Sequence, residues 1–163
     1  MTSINQRAAK TSSLLAFITA GIALISIANP FGTAIGTLGI IVFTIGLVSS
    51  SRQILSIGTV FLFIGMIAAG IFQTPTEQLL IGMTAVVLSW DTGEHAINIG
   101  EQLGRAAKTQ RAELSHFANS TLVGIIAVLT GYIIFKIASG GQPVAALILL
   151  LLAAVILLSV LKE

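Results

Sequence analysis

Cysteine is absent from this 163-residue sequence, proline occurs three times, and only 9% of the residues carry charge. Without cysteine there can be no disulfide framework, no thiolate nucleophile and no Cys-ligated metal. The shortage of charge excludes more. A soluble domain has about 25% charged residues, because its surface faces water. Nine per cent cannot coat a globule of this size. What is present is apolar: 55% of residues are hydrophobic and the mean hydropathy is +1.02. Hydrocarbon is therefore the expected solvent for most of the surface. Backbone groups in hydrocarbon must be paired internally, which leaves helices or a closed barrel. A barrel would alternate apolar and polar residues over strands of about ten residues. The apolar runs here are continuous, which predicts an all-α, polytopic transmembrane helix bundle. The net charge of +2 and pI near 9.4 rest on few residues, so they describe where Lys and Arg sit relative to a membrane. Nucleic acid is not an expected partner.

The chain reads as one membrane domain, 1–163, of about six spans: 13–29, 31–50, 54–72, 76–93, 118–138 and 143–161. Asn29-Pro30-Phe31-Gly32 marks the first turn, since proline disfavours helix in the residue before it. Ser51-Arg52-Gln53 breaks the second and third runs. Gln73-Thr74-Pro75-Thr76-Glu77 is a short loop with Thr76 as the expected N-cap. Ser139-Gly140-Gly141-Gln142-Pro143 is the last turn. The first run has a rival reading as a secretory signal, with Arg7 and Lys10 before an apolar core and Ser26-Ile27-Ala28 as a cleavage-like site. The proline turn directly into another apolar run favours a retained helical hairpin.

The fourth apolar run has only 12 uninterrupted residues, 79–90, a length at which a buried or interfacial segment competes with a span. Charge decides between them. If all six runs cross and the N-terminus is inside, Arg7, Lys10, Arg52, Arg105, Lys108, Arg111 and Lys162 are cytoplasmic and only Lys136 is external. If the fourth run does not cross, Arg105, Lys108 and Arg111 move outside, against the positive-inside bias. Six crossings with both termini cytoplasmic are therefore expected in a cell membrane, with Trp90 at the inner interface. The fourth helix, being short, should be enclosed by its neighbours.

Lipid tails are as apolar as leucine, so membrane helices associate through close packing of small residues. The second run carries Gly32, Gly36, Gly39 and Gly46; the third carries Gly58 and Gly65; the fifth carries Gly124 and Gly131. These spacings of four and seven predict helix-packing faces. Gly39-Ile40-Ile41 with Gly46 is echoed by Gly124-Ile125-Ile126 with Gly131. The echo would pair the second helix with the fifth in a three-plus-three arrangement, but four identities among common membrane residues favour chance.

The one long polar stretch, 91–117, has apolar positions Ala96, Ile99, Leu103, Ala106 and Phe117 on a three-four spacing, and Glu94, Asn98, Glu101, Arg105, Lys108 and Arg111 opposite. That pattern predicts a cytoplasmic amphipathic helix over 94–117. Ile99, Leu103, Arg105, Lys108 and Arg111 are the residues expected to dock a partner. Asp91 and His95, four apart, share a helix face. A zinc site needs three or four converging ligands, and a di-iron bundle needs Glu-x-x-His on separate helices. Neither pattern is present, so no metal or other cofactor is expected. No G-x-S-x-G, Ser-His-Asp order or HExxH occurs, so no enzyme is expected.

Trp90-Asp91-x-Gly93-Glu94-x-Ala96, Gly100-x-Gln102-Leu103-Gly104-Arg105 and Gly140-Gly141-Gln142-Pro143-Val144-Ala145-Ala146-Leu147 resemble, over about residues 90–163, an uncharacterised family of archaeal, mainly haloarchaeal, multi-span membrane proteins. No activity comes with that resemblance. Members tend to be encoded beside a MoxR-type ATPase and transglutaminase-like membrane proteins, which implies an accessory role in a membrane complex. The expectation is an integral membrane protein, multi-pass, serving as a non-enzymatic subunit or scaffold. Its partners are then the lipid bilayer and other membrane proteins. The competing expectation is a small transporter or channel, whose sign would be a continuous polar cavity.

Overall fold

The computed structural model describes residues 7–104 and 109–137, with residues 148, 151 and 152 beyond them. The elements among the described residues are all helices: α1 (Lys10–Ile25), α2 (Pro30–Ser49), α3 (Arg52–Ile71), α4 (Thr76–Leu103) and α5 (Gln110–Ile137). The expectation of about six spans is not supported. Three helices, α2, α3 and α5, are long and apolar enough to cross a membrane. α1 has 16 residues, short of the roughly 20 a span needs. α4 has the length, but Glu77, Asp91, Glu94 and Glu101 dilute its apolar content. The sixth predicted span, 143–161, lies outside the described residues apart from residues 148, 151 and 152.

The turns follow from local chemistry. Asn29 caps α2, its Oδ1 accepting the Gly32 N–H at 2.6 Å, with Pro30 at the first helical position, where its missing N–H costs nothing. Ser50 takes a left-handed conformation (φ 53°) and Ser51 caps α3. Thr76 is not the cap of α4: it is the first helical residue, and the capping position falls to Pro75, which makes no side-chain cap bond. The predicted 94–117 helix is divided. Residues 94–103 continue α4 and residues 110–117 open α5. Gly104 ends α4 with φ 76°, a conformation that glycine alone adopts without steric cost. Residues 105–108 lie outside the described residues.

The helices run up and down. Leu55 of α3 lies against Gly46 of α2 near their turn, and Gly65 against Gly32 at the far end. The Ala9 N–H bonds the Ala96 carbonyl at 2.8 Å, while Ser26 approaches Gly82, so α1 is antiparallel to α4. α4 is the central element, packed against α1, α3 and α5. Its buried side chains fall on more than one face, unlike those of α1, whose Ser12, Ala16, Thr19, Ala20 and Ala23 form one stripe. Phe43, Leu55, Leu62, Met66 and Ile97 are fully buried between them.

The α2–α3 contact is backbone on backbone. A Cβ at Gly58 would lie 2.3 Å from the Phe43 nitrogen, one at Gly46 2.4 Å from the Leu55 nitrogen, and one at Gly39 2.7 Å from the Leu62 nitrogen. At such separations dispersion contacts run along the whole hairpin.

Candidate functional site

Two i,i+4 pairs on antiparallel helices meet where α4 crosses α5. On α4 they are Asp91 and His95; on α5, His116 and Ser120. The Ser120 hydroxyl donates to Asp91 Oδ2 at 2.7 Å. His116 Nε2 lies 2.8 Å from the same oxygen and must be the donor, since a carboxylate only accepts. The His95 and His116 rings stack, centroids 3.8 Å apart and planes 14° from parallel. Asp91 is mostly enclosed, with 18% of its side chain exposed, and His116 keeps 32%. The cluster opens onto a groove of about 330 Å3 between α4 and α5, walled by Thr84, Val87, Val123 and Gly124, with Trp90 and Asn119 at the same end as Asp91.

The chemistry this permits is limited. Ser120 gives its proton to a carboxylate rather than to an imidazole, so the hydrogen bond that would activate a serine nucleophile is not made. Among the described residues no group of three or more His, Asp or Glu side chains is placed to hold a metal ion. What the cluster does offer is a hydrogen-bonding, acidic end to an otherwise apolar cleft.

A second polar assembly closes one end of the bundle. Glu113 of α5 is buried (3% exposed), and its Oε2 accepts the Ser12 N–H at 2.6 Å, satisfying a donor in the first turn of α1. A carboxylate there also meets the positive end of the α1 dipole. The Thr109 hydroxyl donates to the other Glu113 oxygen at 2.8 Å, and the Ala8 N–H donates to Ser50 Oγ at 2.8 Å. Arg52 pairs with Glu101. At the opposite end the Tyr132 hydroxyl donates to Glu77 Oε1 at 2.7 Å, with the Lys136 ammonium 5.2 Å from the Tyr132 ring centroid. That hydroxyl is the chief reason the Glu77 carboxyl sits below its ordinary range; its backbone hydrogen bond and the Lys136 charge act the same way.

A family model described as a family of unknown function, DUF7519, matches residues 6–158. The chain belongs to the DUF7519 family. No curated protein and no solved structure matches it.

In this DUF7519 chain the residues singled out from sequence are distributed as follows. Gly32, Gly39, Gly46, Gly58 and Gly65 lie in the α2–α3 contact, and Gly36 faces the Leu24 and Ile27 side chains at the end of α1. Gly124 lines the α4–α5 groove, where a Cβ would lie 3.3 Å from the Thr84 methyl; no described atom lies within 4 Å of a Cβ at Gly131. Of the residues expected to dock a partner, Ile99 is buried (8% exposed), whereas Leu103 and Arg111 are exposed. Arg105 and Lys108 lie outside the described residues. Sequence reasoning placed Asp91 and His95 on one face but did not join them to His116 and Ser120, 25 and 29 residues further on. The signal was the second polar i,i+4 pair in an apolar helix.

Proposed function

We propose that this DUF7519 member is a multi-pass protein of the cell membrane that acts as a non-enzymatic subunit or scaffold of a membrane complex. The observation that carries the reading is where apolar and polar surfaces fall. Leu14, Phe17, Ile41, Ile45, Ile57 and Ile126 are among many large apolar side chains exposed on the helix flanks. A soluble monomer rarely shows a contiguous apolar patch beyond a few hundred Å2. The ion pair, the buried carboxylate and the caps lie at the ends instead. The most apolar stretch of α5 has no buried residue, which leaves it to lipid or to a neighbouring helix. Small-residue positions such as Gly131 are suited to a neighbour. An archaeal, halophilic setting, implied by the sequence resemblance, belongs to the same proposal.

Gentle detergent extraction of the tagged protein from its native membrane tests this reading. The same membrane proteins should co-purify in repeated preparations. A monodisperse monomer with no companion would end the subunit reading. The small-transporter alternative has one observation in its favour, the acidic end of the α4–α5 groove. The described core is instead filled by side chains such as Phe43, Leu62 and Met66.

A further inference from the structure

We propose that the α4–α5 groove binds a single-chain amphiphile with an ammonium head, the head at Asp91 and the alkyl chain along the cleft. The groove's own chemistry selects that class. Its walls, Thr84, Val87, Leu88, Val123, Ala127 and Val128, are apolar or present a methyl. Such walls take hydrocarbon and offer nothing to an extended polar ligand. At about 330 Å3 the groove lies at the small end of ligand pockets, about 300–1,000 Å3, and has room for one chain.

The polar end has a sign. Among the described residues lining the groove, Asp91 is the only charged side chain, joined there by Ser120 and Asn119. An anionic head would meet a carboxylate at short range in a low-dielectric cleft, and an ammonium would meet attraction. Trp90 shares that end, and an indole face attracts an ammonium further. Ser120 and His116 both direct protons at Asp91 Oδ2, which holds the carboxylate in one orientation before any ligand arrives.

Trp90 is the only tryptophan in the chain, so emission from the full-length protein in lipid nanodiscs reports on the groove alone. The probes are dodecylammonium, dodecanol and dodecyl sulfate, which share a chain and differ in the charge of the head. The expected result is a saturable change with dodecylammonium, and binding at least about tenfold weaker for the other two. A hydrogen bond to a charged group is worth about 1.5–3 kcal/mol, so Asp91→Asn should weaken dodecylammonium by about 10- to 100-fold. Gly124→Leu, which fills the wall away from the carboxylate, should abolish the response while helicity is retained. It decides the matter if Asp91→Asn does not fold. Equal binding of the neutral or anionic probe, an unsaturable response, or either folded variant responding like the parent would overturn the proposal.

Discussion

The glycines of the α2–α3 hairpin are unequal, and the inequality is testable one residue at a time. Gly58 has the Phe43 backbone nitrogen where its Cβ would be, at 2.3 Å, whereas no described atom lies within 4 Å of a Cβ at Gly21 of α1. Backbone cannot rotate aside as a side-chain tip can, so Gly58→Ala must push α3 away from α2. We expect a loss of roughly 1–3 kcal/mol, the usual result of overpacking. Gly21→Ala should be neutral or stabilise by up to about 1 kcal/mol, since alanine loses less entropy in a helix. Thermal melts of both variants in one detergent check the pair, and equal shifts would contradict the packing described. The spacing of these glycines is legible in the sequence, because four- and seven-residue steps put them on one face. Which backbone atom stands opposite each is not, because that depends on the register of a second helix.

At the scale of elements, α4 and α5 are joined twice, by Asp91 with His116 and Ser120, and near the far end by Glu77 with Tyr132. The second joint has a pH signature. Glu77, outside the apolar stretch of α4, has its carboxyl lowered from 4.5, first by the Tyr132 hydroxyl. A carboxylate whose folded-state value is depressed stabilises the fold above its unfolded value, and that stability is lost as pH falls through the folded value. Tyr132→Phe should therefore lower the melting temperature at about pH 6, and the gap to the parent should narrow towards about pH 3. A gap of constant size would show that the hydroxyl acts on something other than the ionised carboxylate. These joints were hidden in the sequence for a physical reason. The three-four period of apolar residues runs through Ile99, Leu103 and Ala106 and is picked up again in phase at Phe117, so the stretch reads as one helix. α4 nevertheless ends at Gly104, with φ 76°, and periodicity carries no information on backbone dihedrals. Glu113 is likewise an ordinary surface acid by sequence; only the return of α5 to the start of α1 makes it a buried cap.

For the whole molecule, the alternation of the helices turns local charges into a statement about sides. The start of α1, the α2–α3 turn, the end of α4 and the start of α5 are tied together through Ala8 with Ser50, Arg52 with Glu101, and Ser12 with Glu113. The α1–α2 turn, the α3–α4 turn and Tyr132 lie at the other end, where Phe31 packs edge-on against Phe72. The first end carries Arg7, Lys10, Arg52 and Arg111, and the second carries Lys136, so under the proposed multi-pass reading the positive-inside bias predicts that the first end faces the cytoplasm. The absence of native cysteine makes single-cysteine labelling unambiguous. In sealed right-side-out vesicles a membrane-impermeant maleimide should label Gln73→Cys directly. It should reach Arg7→Cys and Thr109→Cys only after the membrane is opened. Both belong to one end, so they must respond alike; if one is labelled from outside and the other is protected, the helices between them cross an odd number of times and the arrangement of ends falls.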